Sequence, residues 1–369
     1  MPRAEKASVS AAGPLRHLSG AQRSGCADDY QSTDGVGTER VSFDRPHPSD
    51  GAGKLVVWDQ FWASWLAAEG IAFDCCSQWD VACGRQPLDG YRCMLRTGHD
   101  EYWAAEEAAA VQGFVDEGGN LAFFSGNNCH WQVRYGDGGR TITCYRHPYL
   151  KKRPQAMGVS LESLADPIAA AEPERATTLW ARLPGEAGRV RQRLTGNSWT
   201  GMVNVPFEET PEWPDAPVSA GWLLGPEGGD ACWTVRRPEH WVFEGTGLAE
   251  GESFGLRETI VGTEADGCDT ELVYDATLGR KVLVPSGKDG VDPTRWLILA
   301  SCLAAGLGET TGPVGPPNTL QTATLVYSGG EPGGGGDTFN CATLDWAHGL
   351  RTSGETATIT RNVLRRFAA

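Results

Sequence analysis

Apolar residues in this chain fall into short runs, and the spacing inside and between the runs alternates between two periods. "KLVVW" (54–58) is a compact strand-like run. The segment after it places Phe61, Trp62, Trp65 and Leu66 at i, i+1, i+4 and i+5, which predicts a helix closed by Gly70. "IAFDCC" (71–76) predicts the next strand, and "PLDGYRCMLRTG" predicts another after a Pro/Gly turn. "AAEEAAAVQGFVDEGG" puts Ala108, Val111, Phe114 and Val115 on one helical face before Gly118 and Gly119. "NLAFFSGNN" then runs apolar on both faces and ends in Gly126. Strands that are apolar throughout, alternating with amphipathic helices, predict an α/β fold with a doubly wound, mainly parallel sheet.

Beyond about residue 135 the periodicity loosens. "RTITCY", "HWVFEGTG" and "RETIVGTE" are short runs broken by Pro and Gly, and they predict hairpins and long loops. "PTRWLILASCLAAGLG" predicts a helix with Pro293 near its start. "QTATLVYS" and "GDTFNCATLDW" predict strands on either side of "GGEPGGGG", and "TATITRNVLRRF" predicts an amphipathic closing helix. The expected organisation is a mobile arm over 1–37 and one catalytic α/β domain over 38–369. Within that domain, 135–290 is a β-rich insertion and 291–369 returns to the core sheet.

Composition narrows the function classes. A net charge of -15 argues against a nucleic-acid or anionic-membrane surface, because polyphosphate binding needs a basic patch. The N-terminal stretch has no apolar run long enough for an export signal or a membrane span. Eleven cysteines, an odd number, then suggest reduced thiols and a cytoplasmic location. Cys75, Cys76 and Cys83 lack paired CxxC spacing and are expected as small buried hydrophobes. Fourteen Trp suit an aromatic-lined cavity as well as ordinary packing.

Two predicted strand ends carry the candidate chemistry, "TGHDEYW" and "SGNNCHW". Open α/β sheets place ligands outside the carboxyl ends of their strands, and successive parallel strands are often neighbours. One crevice would then hold His99, Asp100, Glu101, Tyr102, Trp103, Asn127, Asn128, Cys129 and His130. Each has a plainer use as well: Asp100 or Glu101 as a helix cap, His99 as a packed histidine, Tyr102 and Trp103 as first-turn aromatics, the asparagines as turn residues. No GxSxG, HExxH, P-loop or strand-linked GxGxxG occurs, so serine-elbow, NAD and ATP chemistry are not expected. Water activated by a side chain or a metal, with amides holding the substrate, remains.

"ERVSFDRP", "WLAAEGIAFD", "GHDEYW", "GGNLAFFSGNNCHWQVRY", "HWVFEGTGL" and "DTFNCATLDWAHGL" followed by "ITRNVLRRF" resemble successive signatures of the large subunit of N,N-dimethylformamidase and its relatives. The resemblance runs with gaps from about residue 38 to the C-terminus and is weakest in the middle. It implies a core similar to class I glutamine amidotransferases without their cysteine. It also implies a mononuclear iron held by two tyrosines and a glutamate, hydrolysing a small amide to amine and carboxylate. Tyr102 matches one tyrosine; Phe61 stands at the best-matching position for the other; Glu174 is the glutamate assigned in the weakly matched middle. Relatives can require a small partner subunit, and a two-fold homo-oligomer is the base-rate expectation.

The expectation is therefore a C–N hydrolase of a small molecule. Tyr102 serves as metal ligand or oxyanion donor, His99 or Glu101 as general base, and Asn127 or Asn128, with His130 and Trp103, holds the substrate. The alternatives are a lyase, isomerase or cyclase acting on a specialised metabolite with the same scaffold, or a ligand-binding protein without catalysis.

Overall fold

The computed structural model describes residues 7–10, 39–44, 58–145, 165–197, 232–261, 265–305, 320–329 and 335–369. The strands are β1 Ala7–Ser10, β2 Arg40–Ser42, β3 Phe73–Cys76, β4 Cys93–His99, β5 Tyr102–Ala104, β6 Asn120–Gly126, β7 Trp131–Gly136 and β8 Thr141–Thr143. They continue with β9 Trp233–Val235, β10 Ser253–Phe254, β11 Thr270–Asp275, β12 Arg280–Pro285, β13 Leu297–Ala305, β14 Leu320–Ser328 and β15 Thr338–Asn340. The α-helices are α1 Asp59–Ala68, α2 Gln78–Ala82, α3 Ala105–Asp116, α4 Val190–Leu194, α5 Trp346–Gly349 and α6 Gly354–Phe367.

The architecture is mixed α/β. A nine-stranded sheet has the order β10-β9-β13-β14-β15-β6-β4-β1-β3. From β3 to β15 every neighbouring pair is parallel, and from β15 to β10 every pair is antiparallel. Only one half of the sheet is therefore parallel. A four-stranded sheet, β2-β8-β7-β5, stands beside the carboxyl ends of β4 and β6, and β11 and β12 form a hairpin.

Several expectations hold locally. The helix ending at Gly70 is α1, with Gly70 at φ 71 beyond its last turn. Strand β6 is buried on both faces, as a central strand must be, and α6 buries one apolar stripe. The "KLVVW" run lies outside the described residues except for its last position, Trp58. Within the arm, Ala7–Ser10 forms a strand between β3 and β4. Residues 233–254, placed in the insertion by the pattern, supply β9 and β10 to the main sheet.

Two local expectations are overturned. The run expected as a helix from Pro293 is β13. Its start signals do produce one turn, in which the N–H groups of Arg295 and Trp296 donate to Asp292 O at 3.2 and 3.1 Å. The chain then extends, because a run apolar on all sides can be a strand covered on both faces as readily as a helix. "HWVFEGTG" makes a 3-10 turn at Trp241–Phe243, not a hairpin. Gly336 also has a packing reason: its N–H donates to Val115 O at 2.7 Å, and a Cβ there would lie 1.9 Å from Gly119 O. Only glycine lets β15 start this close to β6.

Candidate functional site

The parallel order β15-β6-β4 brings three strand ends to one edge, and backbone hydrogen bonds tie the first two loops together. Asp100 N–H donates to Gly126 O at 3.2 Å, Cys129 N–H to Asp100 O at 2.9 Å, and the N–H groups of His130 and Trp131 to Glu101 O at 2.9 Å. The stretches "GHDEYW" and "SGNNCHW" are therefore direct neighbours, as the sequence pattern suggests.

At their junction stand His99, Glu101 and Asn127. His99 Nε2 lies 3.3 Å from Glu101 Oε2, and both side chains are 11% exposed. The Asn127 carboxamide nitrogen approaches the same Nε2 at 3.2 Å. A carboxylate beside Nε2 calls for an N–H on that nitrogen, and a carboxamide meets an N–H best with its oxygen. The two carboxamide orientations have the same shape, so hydrogen-bond chemistry favours oxygen towards the ring and NH2 away from it. In either orientation one end of this 3% exposed amide is buried without a partner: among the described residues Asn127 Oδ1 has no hydrogen-bond partner. Asn127 and Cys129 both sit at φ 52. Asn tolerates that left-handed conformation, while for Cys129 it costs of order 1–3 kcal/mol that the surrounding fold must offset.

The wall opposite is built by residues the pattern does not flag. Trp58 meets the His99 ring edge-on at 6.4 Å and donates through Nε1 to Asp345 Oδ1 at 2.9 Å. Asp345 comes after β15, and His348 Nδ1 lies 3.8 Å from its carboxylate. Thr97 Oγ1 on β4 donates to Asp59 Oδ1 at 2.7 Å, fixing the start of α1 beside the same edge.

The other candidates divide. Asn128 is fully buried: its oxygen accepts from Ser125 Oγ at 2.5 Å, and its NH2 donates to Ser125 O and Asp266 Oδ2 at 3.1 and 2.9 Å. Its hydrogen bonds fold the turn. Trp103 lies in the core. It is fully buried, its Nε1 donates to Asp100 O at 3.1 Å, and its ring lies under Arg96 at 4.3 Å and over Phe123 at 6.1 Å. The reason is strand alternation: Tyr102-Trp103-Ala104 is a strand and not the first turn of a helix, so neighbours face opposite ways. Tyr102 accordingly packs with Val41, Trp131, Val133, Ile142 and Leu179 and is 5% exposed. His130 is also 5% exposed, its ring edge-on to Trp131 at 5.1 Å.

Asp100 is not a helix cap, since the N-cap of α3 is Ala104 and no side chain caps it. It pairs with Arg96 through contacts of 2.8 and 2.6 Å. Arg96 also holds Glu107 at 2.7 Å, and Gln78 Nε2 donates to Asp100 at 3.2 Å. Two carboxylates share one buried guanidinium. Burial, reinforced by the Asp100 charge and opposed by Arg96, pushes Glu107 up to about 7. A charge inside the apolar "MLRTG" run was the available signal for this knot.

The donor set implied for iron does not fit. Phe61 has no donor atom and packs edge-on against His348 at 5.9 Å. Glu174 is exposed on a 3-10 turn whose backbone oxygens at Glu174 and Ala176 accept from Gln132 Nε2 at 2.8 and 3.0 Å. Among the described residues, no group of three or more His, Cys, Asp or Glu is arranged to hold a metal ion.

A family model described as N,N-dimethylformamidase beta subunit-like, C-terminal, matches residues 21–359. The chain is 23% identical to the N,N-dimethylformamidase beta subunit of Alcaligenes sp and 24% identical to that of Paracoccus aminophilus. Each comparison covers 90% of this chain and 41% of the relative, so the chain spans less than half the length of these curated relatives.

Proposed function

This chain belongs to the N,N-dimethylformamidase beta subunit-like family, and on that premise we propose that it hydrolyses the C–N bond of a small amide at the His99–Glu101–Asn127 cluster. One observation carries the proposal. A histidine, a carboxylate and a buried carboxamide meet within 3.3 Å where β4 and β6 end.

The chemistry is addition and elimination. Water adds to the carbonyl carbon, and its proton passes to the His99–Glu101 pair. Negative charge then builds on the carbonyl oxygen, and the unpartnered NH2 end of Asn127 donates to it. The C–N bond breaks as the nitrogen takes the proton back, giving a carboxylic acid and an amine. A tertiary amide has no N–H to recognise. Discrimination therefore falls on its carbonyl oxygen and on the shape of an apolar wall such as Trp58.

The parallel run from β3 to β15, with ligand groups at its carboxyl edge, supports a core similar to class I glutamine amidotransferases. The word subunit in the relatives' names supports assembly with a further chain. The ten described cysteines are free thiols, which supports a reducing, cytoplasm-like compartment. Among the described residues no helix is long and apolar enough to cross a membrane.

The test is amine release from a panel of short N-substituted amides. Turnover of any of them, lost in His99→Ala and Glu101→Gln, upholds the proposal. A folded protein that releases no amine, or a His99→Ala variant as active as the parent, refutes it.

A further inference from the structure

The loop that presents Asn127 is held from a distance. Asp266 is fully buried and lies 139 residues further along the chain. Its Oδ1 accepts from the Asn127 backbone N–H at 3.1 Å. Its Oδ2 accepts from the Asn128 backbone N–H at 3.1 Å and from the Asn128 carboxamide at 2.9 Å. Two successive N–H groups converging on one carboxylate make an anion nest, here filled by a side chain of the same protein. Three donors on one carboxylate are charge-assisted bonds in a dry setting, where they are stronger than in water.

Asp266 is itself fixed by the sheet. Its N–H donates to Ala342 O at 2.8 Å, just after β15, and its carbonyl accepts from Thr324 N–H on β14 at 3.0 Å. Asn340 completes the frame: its Oδ1 accepts from Ala342 N–H at 2.8 Å and stands 3.5 Å from Asn128 Nδ2. One residue thus joins the turn after β6, through its carboxylate, to β14 and the end of β15, through its backbone, and folds the turn at which Asn127 takes φ 52.

We propose that Asp266 is a positioning residue of this site: its carboxylate folds the Asn127–Asn128 turn and so holds the Asn127 carboxamide against His99. The proposal rests on the amidase assignment above for its kinetic consequence, but not for its structural one. The Asn127 side chain has two roles to serve, on the histidine and on the substrate oxygen, and its reach to either depends on where the turn sits. In Asp266→Asn one of the two carboxylate oxygens becomes an NH2 facing N–H donors, so the turn loses half of its anchor.

The experiment compares the parent with Asp266→Asn, Asn127→Gly and the double variant. Glycine suits the left-handed position, so Asn127→Gly removes the carboxamide without straining the turn. Asp266→Asn is expected to lower kcat about tenfold with KM changed less than about twofold. In the double variant the loss should match that of Asn127→Gly alone, because Asp266 acts through Asn127. Losses that multiply would overturn the proposal and leave Asp266 as a fold staple.

A second readout needs no turnover. In protein labelled with 15N-asparagine, the side-chain amide signal absent from Asn127→Gly should shift or broaden in Asp266→Asn. If it stays in place, the proposal fails, whatever the protein does to amides. A chain inert to every amide but showing this shift would refute the amidase assignment alone. If Asp266→Asn does not fold, Asn128→Ala takes away one of the three bonds to the carboxylate, at 2.9 Å, along with the side chain's bonds to Ser125, and the same signal must still move.

Discussion

The two halves of the nine-stranded sheet use the same materials to different ends. From β3 to β15 the strands run one way, so their carboxyl ends share an edge and the loops after β4, β6 and β15 meet there. From β14 to β10 the strands alternate in direction, and no such edge exists. Two histidines illustrate the consequence. His99, in the parallel half, faces a carboxylate at 3.3 Å and a buried carboxamide. His240, against the antiparallel half, is packed between Trp241 at 5.2 Å and Tyr327 at 4.7 Å. Burial, with Arg366 and Arg237 nearby, brings its pKa down to about 4, so it is neutral at pH 7 and serves packing. Strand direction, more than residue type, separates the surroundings of the two histidines.

Substitutions on either side put that contrast at risk. His99→Ala should lower kcat for amide hydrolysis by roughly 10²–10⁴, while His240→Ala leaves it within about threefold. Equal losses in both would dissolve the distinction. Trp296→Ala removes a buried indole that packs with Ile298 and Val326 of the antiparallel half. It should cost about 3–5 kcal/mol in urea unfolding with kcat/KM nearly unchanged in the folded fraction. A specific kinetic defect there would mean that the halves are coupled.

The Arg96 knot predicts a smaller, pH-dependent effect. Glu107 is raised to about 7 in the folded protein, so the folded state binds this proton more tightly than the unfolded one. Its contribution is therefore full below the ordinary carboxylate range and is lost as pH rises towards 7. Melting curves of the parent and Glu107→Gln should diverge by on the order of 2 kcal/mol across that window, with the parent losing more stability as pH rises. Parallel curves would show that Glu107 is ionised throughout. Tyr102→Phe should do least: it keeps the packed ring and should cost about 1 kcal/mol of stability and less than tenfold in rate. A loss as large as that of His99→Ala would bring the phenol into the reaction.

Much of this candidate site could be read directly from the chain, because its polar groups lie at the ends of apolar runs that terminate in Gly98 and Gly126. Polar residues placed straight after such runs sit at the carboxyl edge of a parallel sheet, and on that basis His99, Glu101 and the Asn127–Asn128 pair are candidates from the sequence alone. What the pattern could not separate was neighbours. Asn127 and Asn128 look equivalent in sequence; only the backbone turn sends one amide to His99 and the other into the Asp266 knot. Tyr102 and Trp103 likewise depend on whether the segment is strand or helix. The β13 run was ambiguous for the same reason, since hydrophobicity on every side carries no period.

Local order was written into the chain: the periods, the caps and the two chemistry-bearing strand ends depend on residues within a few positions of one another. The reversal of direction in half of the sheet was not. Nor was the closing of Trp58, Asp266 and Asp345 around the loops of His99 and Asn127. Those outcomes depend on pairings between segments far apart in the chain, as between Asn127 and Asp266 or Trp58 and Asp345. No local spacing encodes such a pairing; it is selected only when the whole apolar surface is buried at once.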